Sequence, residues 1–211
     1  MIRVRFQEFA RARHGVTVIE FALAFPLMIF AILGLLELAN IALQRQRLSQ
    51  AALLIADNAG RLGNMGMSGP EKVTERQIND ALLSASVQQS ELDLKKRGRV
   101  ILTSVELNQD GGQWLHWQRC YGSLPHRSSW GIENDGERGK AVLGMGPADN
   151  QIAAGVDQPV MFVEIAYKLQ PLIFSGLEYA SPVIETAAMP IRVERDTTSV
   201  VSGSDTQSKC T

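Results

Sequence analysis

Residues 16–36 read VTVIEFALAFPLMIFAILGLL, an apolar run of about 21 positions, or roughly 31 Å of helix, which matches a bilayer hydrocarbon core. Ahead of it, MIRVRFQEFARARHG sets Arg3, Arg5, Arg11 and Arg13 against the single acid Glu8. Flanking positive charge is retained on the cytoplasmic side, so the N-terminus is expected in the cytoplasm and the rest of the chain outside it. Arg45 and Arg47 beyond the run reduce this asymmetry without reversing it. A secretory signal has a shorter apolar region followed by a small-residue cleavage site. This run is too long for that and reads as a single membrane span.

Two residues in the run call for more than anchoring. Glu20 costs about 2.5 to 3.5 kcal/mol at the centre of a span and somewhat less near its end, so it needs a partner or a task. A cut between Gly15 and Val16 would create an ammonium group one helical turn from the Glu20 carboxylate. In a low-dielectric layer the two charges neutralise each other, within a chain or between neighbours in a helical assembly. The positive end of the helix dipole also favours a carboxylate there. Pro26 has no N–H, which deprives the Ala22 carbonyl of its helical partner and predicts a mild kink.

Gly15, four residues, then Glu20 and Phe21 at the head of a long apolar helix is similar to the prepilin processing site of type IV pilin-like proteins. More narrowly, RHGVTVIEFALAFPLMIFAILGLLEL resembles the opening of the TadE-like family, the minor pseudopilins of tight-adherence (Flp) pili. EFALAFP, Glu20 to Pro26, is its most specific part. The resemblance covers Arg13 to about Leu62. It implies that a prepilin peptidase of the bacterial inner membrane cuts after Gly15, with Glu20 acting as the fifth residue of the mature chain. Major Flp pilins are much shorter and carry Glu-Tyr where this chain has Glu20-Phe21, so a minor component or assembly protein is implied.

The chain continues without a breaker to Gly60 and Gly63, so the helix is expected to leave the membrane and run through residues 37–62. Ile41, Leu48, Ala52, Ile55, Ala59 and Leu62 form an apolar stripe, with Gln44, Arg47, Gln50, Asp57 and Arg61 on other faces. Glu37 marks the water boundary. Residues 63–73 read as a loop, and Thr74 with Gln77 has capping-box spacing for a second helix whose apolar face is Ile78, Ala81, Leu82 and Ala85. It fades by Ser90 into the charged, turn-like stretch 91–99. Residues 99–108 and 113–121 are predicted to form an antiparallel hairpin across QDGG. A loop-rich stretch covers 122–157, and further strands are expected over 159–170 and 184–195. Pro190 makes the last an edge strand or splits it. The short apolar connection PLIFSGLEYAS lies between them. The expected fold is α+β, with an extracytoplasmic domain over 74–195 of about four antiparallel strands and one or two helices. The polar tail, 196–211, would be disordered if left free.

Lys+Arg 21 against Asp+Glu 22 leaves no basic field, so nucleic acid is an unexpected partner. The two cysteines, Cys120 and Cys210, lack the close spacing of a zinc or redox motif. Outside the cytoplasm an oxidising compartment favours one bridge between them; in a reducing one they stay free thiols. No catalytic, cofactor or metal site is expected. His116 and Cys120, four apart on one predicted strand, share a face, but no third ligand has a signalled spacing. His126 reads as a solvated loop histidine and GMGPAD lacks the third glycine of a dinucleotide fingerprint. Trp114, Trp117 and Trp130 invite comparison with a sugar or peptide platform, but Trp114 and Trp117, three apart on a predicted strand, point to opposite faces, which argues against a shared one.

The function expected from the resemblance is that of a minor pseudopilin in assembly of a Tad-type pilus, with Glu20, Phe21 and Pro26 in helix packing. Its implied partners are the prepilin peptidase, a related minor pseudopilin, and the assembly platform or the pilus itself. No small-molecule substrate is expected. The competing readings are an uncleaved single-span envelope binding module and a membrane-tethered enzyme whose site carries no recognisable motif.

Overall fold

The structure, a computed structural model, describes residues 14–210 apart from 64, 67, 68, 174, 175, 177, 178 and 180. The arginine-rich leader through residue 13 lies outside the described residues. The fold is α+β. Helix α1, His14–Gly60, is followed by strands β1, Met65–Gly66, β2, Gly69–Pro70, and β3, Lys72–Thr74, then by helix α2, Glu75–Gln88. A 3-10 turn, Ser90–Leu92, and a short helix α3, Leu94–Arg97, lead into β4, Gly98–Leu107, and β5, Gln113–Tyr121. The chain closes with β6, Val160–Tyr167, β7, Val183–Pro190, and β8, Asp196–Val201. It divides into two units, Met1–Ala42 with Gln170–Glu178, and Leu43–Leu169 with Tyr179–Thr211.

The larger unit is built on an antiparallel sheet of order β5-β4-β6-β7. The central strands β4 and β6 are buried almost throughout because both sheet faces are covered. One face meets the helices. Arg119 on β5 binds Glu75 at the start of α2, and the Tyr121 hydroxyl reaches Ser86 at 3.1 Å. α2 buries Ile78, Ala81, Leu82 and Ala85, the face expected from its periodicity, and the Thr74–Gln77 capping box is formed. α1 buries Leu48, Ala51, Ala52, Ile55, Ala56 and Ala59. The small side chains at 51 and 56 extend the expected stripe, and Gln44, expected on a polar face, is buried with them.

The other face carries a core of Val105, Leu115, Met145, Ala154, Val160 and Phe162 under the long loop after β5. Trp130 closes it with its ring edge-on to Phe162, centroids 5.6 Å apart. That loop also caps the open edge of β5: Gln113 N–H donates to Val142, Leu115 N–H to Asp135, and Gln118 N–H to the Glu133 carboxylate. An unpaired edge would invite a foreign strand, and here the chain supplies its own cover. β7 forms the opposite edge and ends at Pro190, which cannot donate to a ladder.

The ends of the elements differ from expectation in physically simple ways. The stretch 91–99, read as a turn, contains α3. The loop 63–73 holds the short β1–β2 pairing, and β3 pairs in parallel with β8 from the polar tail. Three-residue strands carry too little periodicity to be seen, and the tail acquires order from its partner. Three residues past the end of α1, Gly63 takes a φ of +106°, which glycine adopts without strain; an added Cβ would also lie 2.9 Å from that of Arg195. Arg195 then caps the helix, its guanidinium donating to the carbonyls of Ala59 at 3.0 Å and Leu62 at 2.9 Å. Burial pushes that guanidinium down to about 10, with the Glu106 charge opposing the shift.

Candidate functional site

The Gly15–Val16 bond lies in helical backbone of α1, described from His14 onward. Every residue from Val16 to Ile32 is exposed, including Glu20, Phe21 and Pro26. The rings of Phe21 and Phe25, one turn apart, lie 5.4 Å from each other. α1 runs through Pro26 without interruption. This is the one helix among the described residues long and apolar enough to cross a membrane, and it fits a single-span membrane protein.

The end of the apolar run holds a group that sequence reading placed differently. Glu37 does not simply mark the water boundary: it is 7% exposed. Its carboxylate accepts the backbone N–H of Leu172 at 3.1 Å through each oxygen and that of Ile173 at 2.9 Å. One turn on, the Asn40 side-chain amide donates to the carbonyl of Gln170 at 2.8 Å. A carboxylate that leaves water is stable only with such donors. Sequence offered no signal for this, because the partners lie 135 and 136 positions away.

Cys120 and Cys210 are joined in a disulfide, 90 positions apart. The tail around it is further held: Cys120 N–H donates to Ser208, the Asn79 side chain donates to the Thr206 carbonyl, and the Ser208 hydroxyl donates to Asn79.

Three corrections concern the aromatic and histidine residues. A register irregularity opposite Ser104 and Val105 inserts an extra residue in β5, so Trp117 faces Ser104 and Trp114 faces Glu106. Trp114 and Trp117 therefore share a face, the reverse of what a regular strand gives. His116, instead of lining up with Cys120, stacks on Trp114 with centroids 3.9 Å apart and places its Nδ1 2.9 Å from Glu106. His126 is not solvated: its Nε2 lies 2.8 Å from the buried Glu164, which also accepts the Ser129 backbone N–H and hydroxyl.

These polar groups serve the fold. A cavity of about 530 Å³ is lined by Glu106, Asp157, Arg192, Glu194 and Arg195, among others. Glu106 is held by Ser104 and His116, Arg195 by the α1 carbonyls, and Arg192 pairs with Asp57 at 2.9 Å. Among the described residues no three His, Cys, Asp or Glu side chains are grouped to hold a metal ion.

No curated protein and no solved structure matches the chain. The family model described as TadE-like protein matches residues 15–57, from the Gly15 junction through the apolar run and most of the remaining length of α1. Over those residues α1 is similar to TadE-like proteins, a likeness that suggests association with a Tad pilus system.

Proposed function

We propose that the chain is a minor pseudopilin that takes part in assembly of a Tad-type pilus and is processed by a prepilin peptidase after Gly15. The observation that carries this reading is the TadE-like match over residues 15–57, which contains Gly15, Val16, Glu20, Phe21 and Pro26 at their pilin-like spacing. The exposed face of α1 from Val16 to Ile32 supports it, because an apolar helix that no other described residue covers is free to pack against lipid and against neighbouring helices.

In this reading the N-terminus starts in the cytoplasm and the domain lies beyond the inner membrane. Cleavage exposes the Val16 ammonium one turn from Glu20, and the two neutralise each other within a chain or across a pair of packed helices. Phe21 and Pro26 shape the helix surface that a related minor pseudopilin or the pilus meets, and the assembly platform acts on the membrane-held form. The role is structural, without catalysis.

Deleting the chain from a piliated cell tests this. The expected result is loss of Tad-type pili, restored by the full chain and not by a chain lacking residues 16–36. Normal piliation in the deletion strain contradicts it.

A further inference from the structure

Within the unit that holds the apolar run, one turn of chain is tied to the run's end. Glu37 follows the last residue of the run, and at 1.5 Å per residue Asn40 lies within roughly 6 Å of that end along the axis. The interfacial layer of a bilayer is about 5 to 8 Å deep on each side, so both tethers fall inside it. What they hold is Pro171, Leu172 and Ile173, with Leu172 63% exposed.

The hydrogen bonding of this turn suits a layer poor in water. Pro171 has no N–H to satisfy. The N–H groups of Leu172 and Ile173 are both taken by Glu37, and the Gln170 carbonyl accepts from Asn40. Three successive residues thus present no unmatched donor while displaying apolar side chains. Backbone can approach lipid only when its polar groups are matched in this way, and the same bonds stabilise the Glu37 carboxylate away from bulk water.

We infer that the turn Pro171–Ile173 enters the interfacial layer of the bilayer that α1 crosses, with Leu172 against the acyl chains, as a second membrane contact beside the span. The inference rests on the single-span reading of α1. The occupant is lipid, because the turn is hydrogen-bonded to the membrane-crossing helix at headgroup depth and carries no charge from Gln170 to Ile173.

The test uses the full chain in vesicles of equal parts phosphatidylcholine and phosphatidylglycerol, labelled with an environment-sensitive fluorophore at Leu172→Cys with the native disulfide retained. Leu143→Cys, exposed in the other unit, and Phe30→Cys, within the run, serve as references. The expected result is blue-shifted emission at position 172, quenched by lipid carrying a nitroxide near its headgroup. Both signals should decline on Glu37→Ala and decline less on Glu37→Gln, which keeps one accepting oxygen. Emission at 172 that matches 143, with 30 still quenched, overturns the inference and leaves the span standing. Blue-shifted emission at 172 without nitroxide quenching also overturns it, since protein then covers the turn. Absence of quenching at 30 removes the single-span reading and the inference with it.

Discussion

Arg119 and Glu75 meet in the interior as a fork, with Nε of the arginine 3.0 Å from both carboxylate oxygens and Nη2 2.6 Å from one of them. Their side chains are 4% and 0% exposed. The pair pins the first turn of α2 to β5, and Nη1 extends the network to Glu133 at 3.1 Å in the loop that covers the β5 edge. It also settles where α2 docks, because a buried charge has few acceptable partners.

Breaking this pair on one side leaves a buried charge uncompensated. Arg119→Met or Glu75→Leu is expected to cost about 3–5 kcal/mol, and the double variant less than the sum of the two. Urea unfolding of the detergent-solubilised chain, followed by tryptophan fluorescence, measures this. Single costs below about 1 kcal/mol contradict a buried, charged pair.

The disulfide closes a loop spanning 90 positions and holds a tail with little apolar surface of its own. Cys120→Ser/Cys210→Ser is expected to lower stability by about 2–4 kcal/mol. It should also open residues 202–209 to proteolysis before the rest of the domain, since Thr206 and Ser208 are otherwise held only by hydrogen bonds to Asn79 and the Cys120 backbone. Limited proteolysis with mass readout checks the order of cleavage.

Arg195 caps α1 against a desolvation cost. Burial pushes its guanidinium down to about 10, so the folded state disfavours the charged form. That cost is present at every pH below about 10 and is relieved only as pH rises above that value toward the ordinary guanidinium range. Stability linked to this residue is therefore flat through the neutral range. Arg195→Met, which leaves the Ala59 and Leu62 carbonyls without their donor, should cost about 1–3 kcal/mol equally at roughly pH 6 and pH 9. A strong difference between the two contradicts the assignment.

Asp196 behaves in the opposite sense. Hydrogen bonds from the Thr198 side chain and backbone, followed by the Lys72 charge, hold its carboxyl below the ordinary 3.8. A depressed carboxylate contributes stability above its unfolded value and loses it as pH falls through the lower folded value. The β3–β8 pairing should thus weaken in acid, and Asp196→Asn should remove part of that dependence. Hydrogen exchange of the β8 amides across the acid range reads this directly.

Much of the fold is written locally. The capping box at Thr74, the apolar face of α2, the hairpin across QDGG and the edge position of the strand ending in Pro190 follow from neighbouring residues. What stayed hidden depends on distance or on a single inserted residue. The extra residue in β5 reverses the parity of Trp114 relative to Trp117, and no sequence pattern marks it. Glu37 reads as a boundary residue until the backbone of Leu172 arrives from 135 positions away. His126 reads as solvated until Glu164 on β6 is placed beside it. In α1 the pilin-like spacing of Gly15 and Glu20 is visible in sequence because it is a local, linear pattern.

Intact-mass measurement of the membrane-held chain, from cells with and without an active prepilin peptidase, tests the pseudopilin reading most directly. The expected result is a chain beginning at Val16 when the peptidase is active and one retaining residues 1–15 when it is not. Retention of residues 1–15 in both samples contradicts the account and favours an uncleaved single-span anchor.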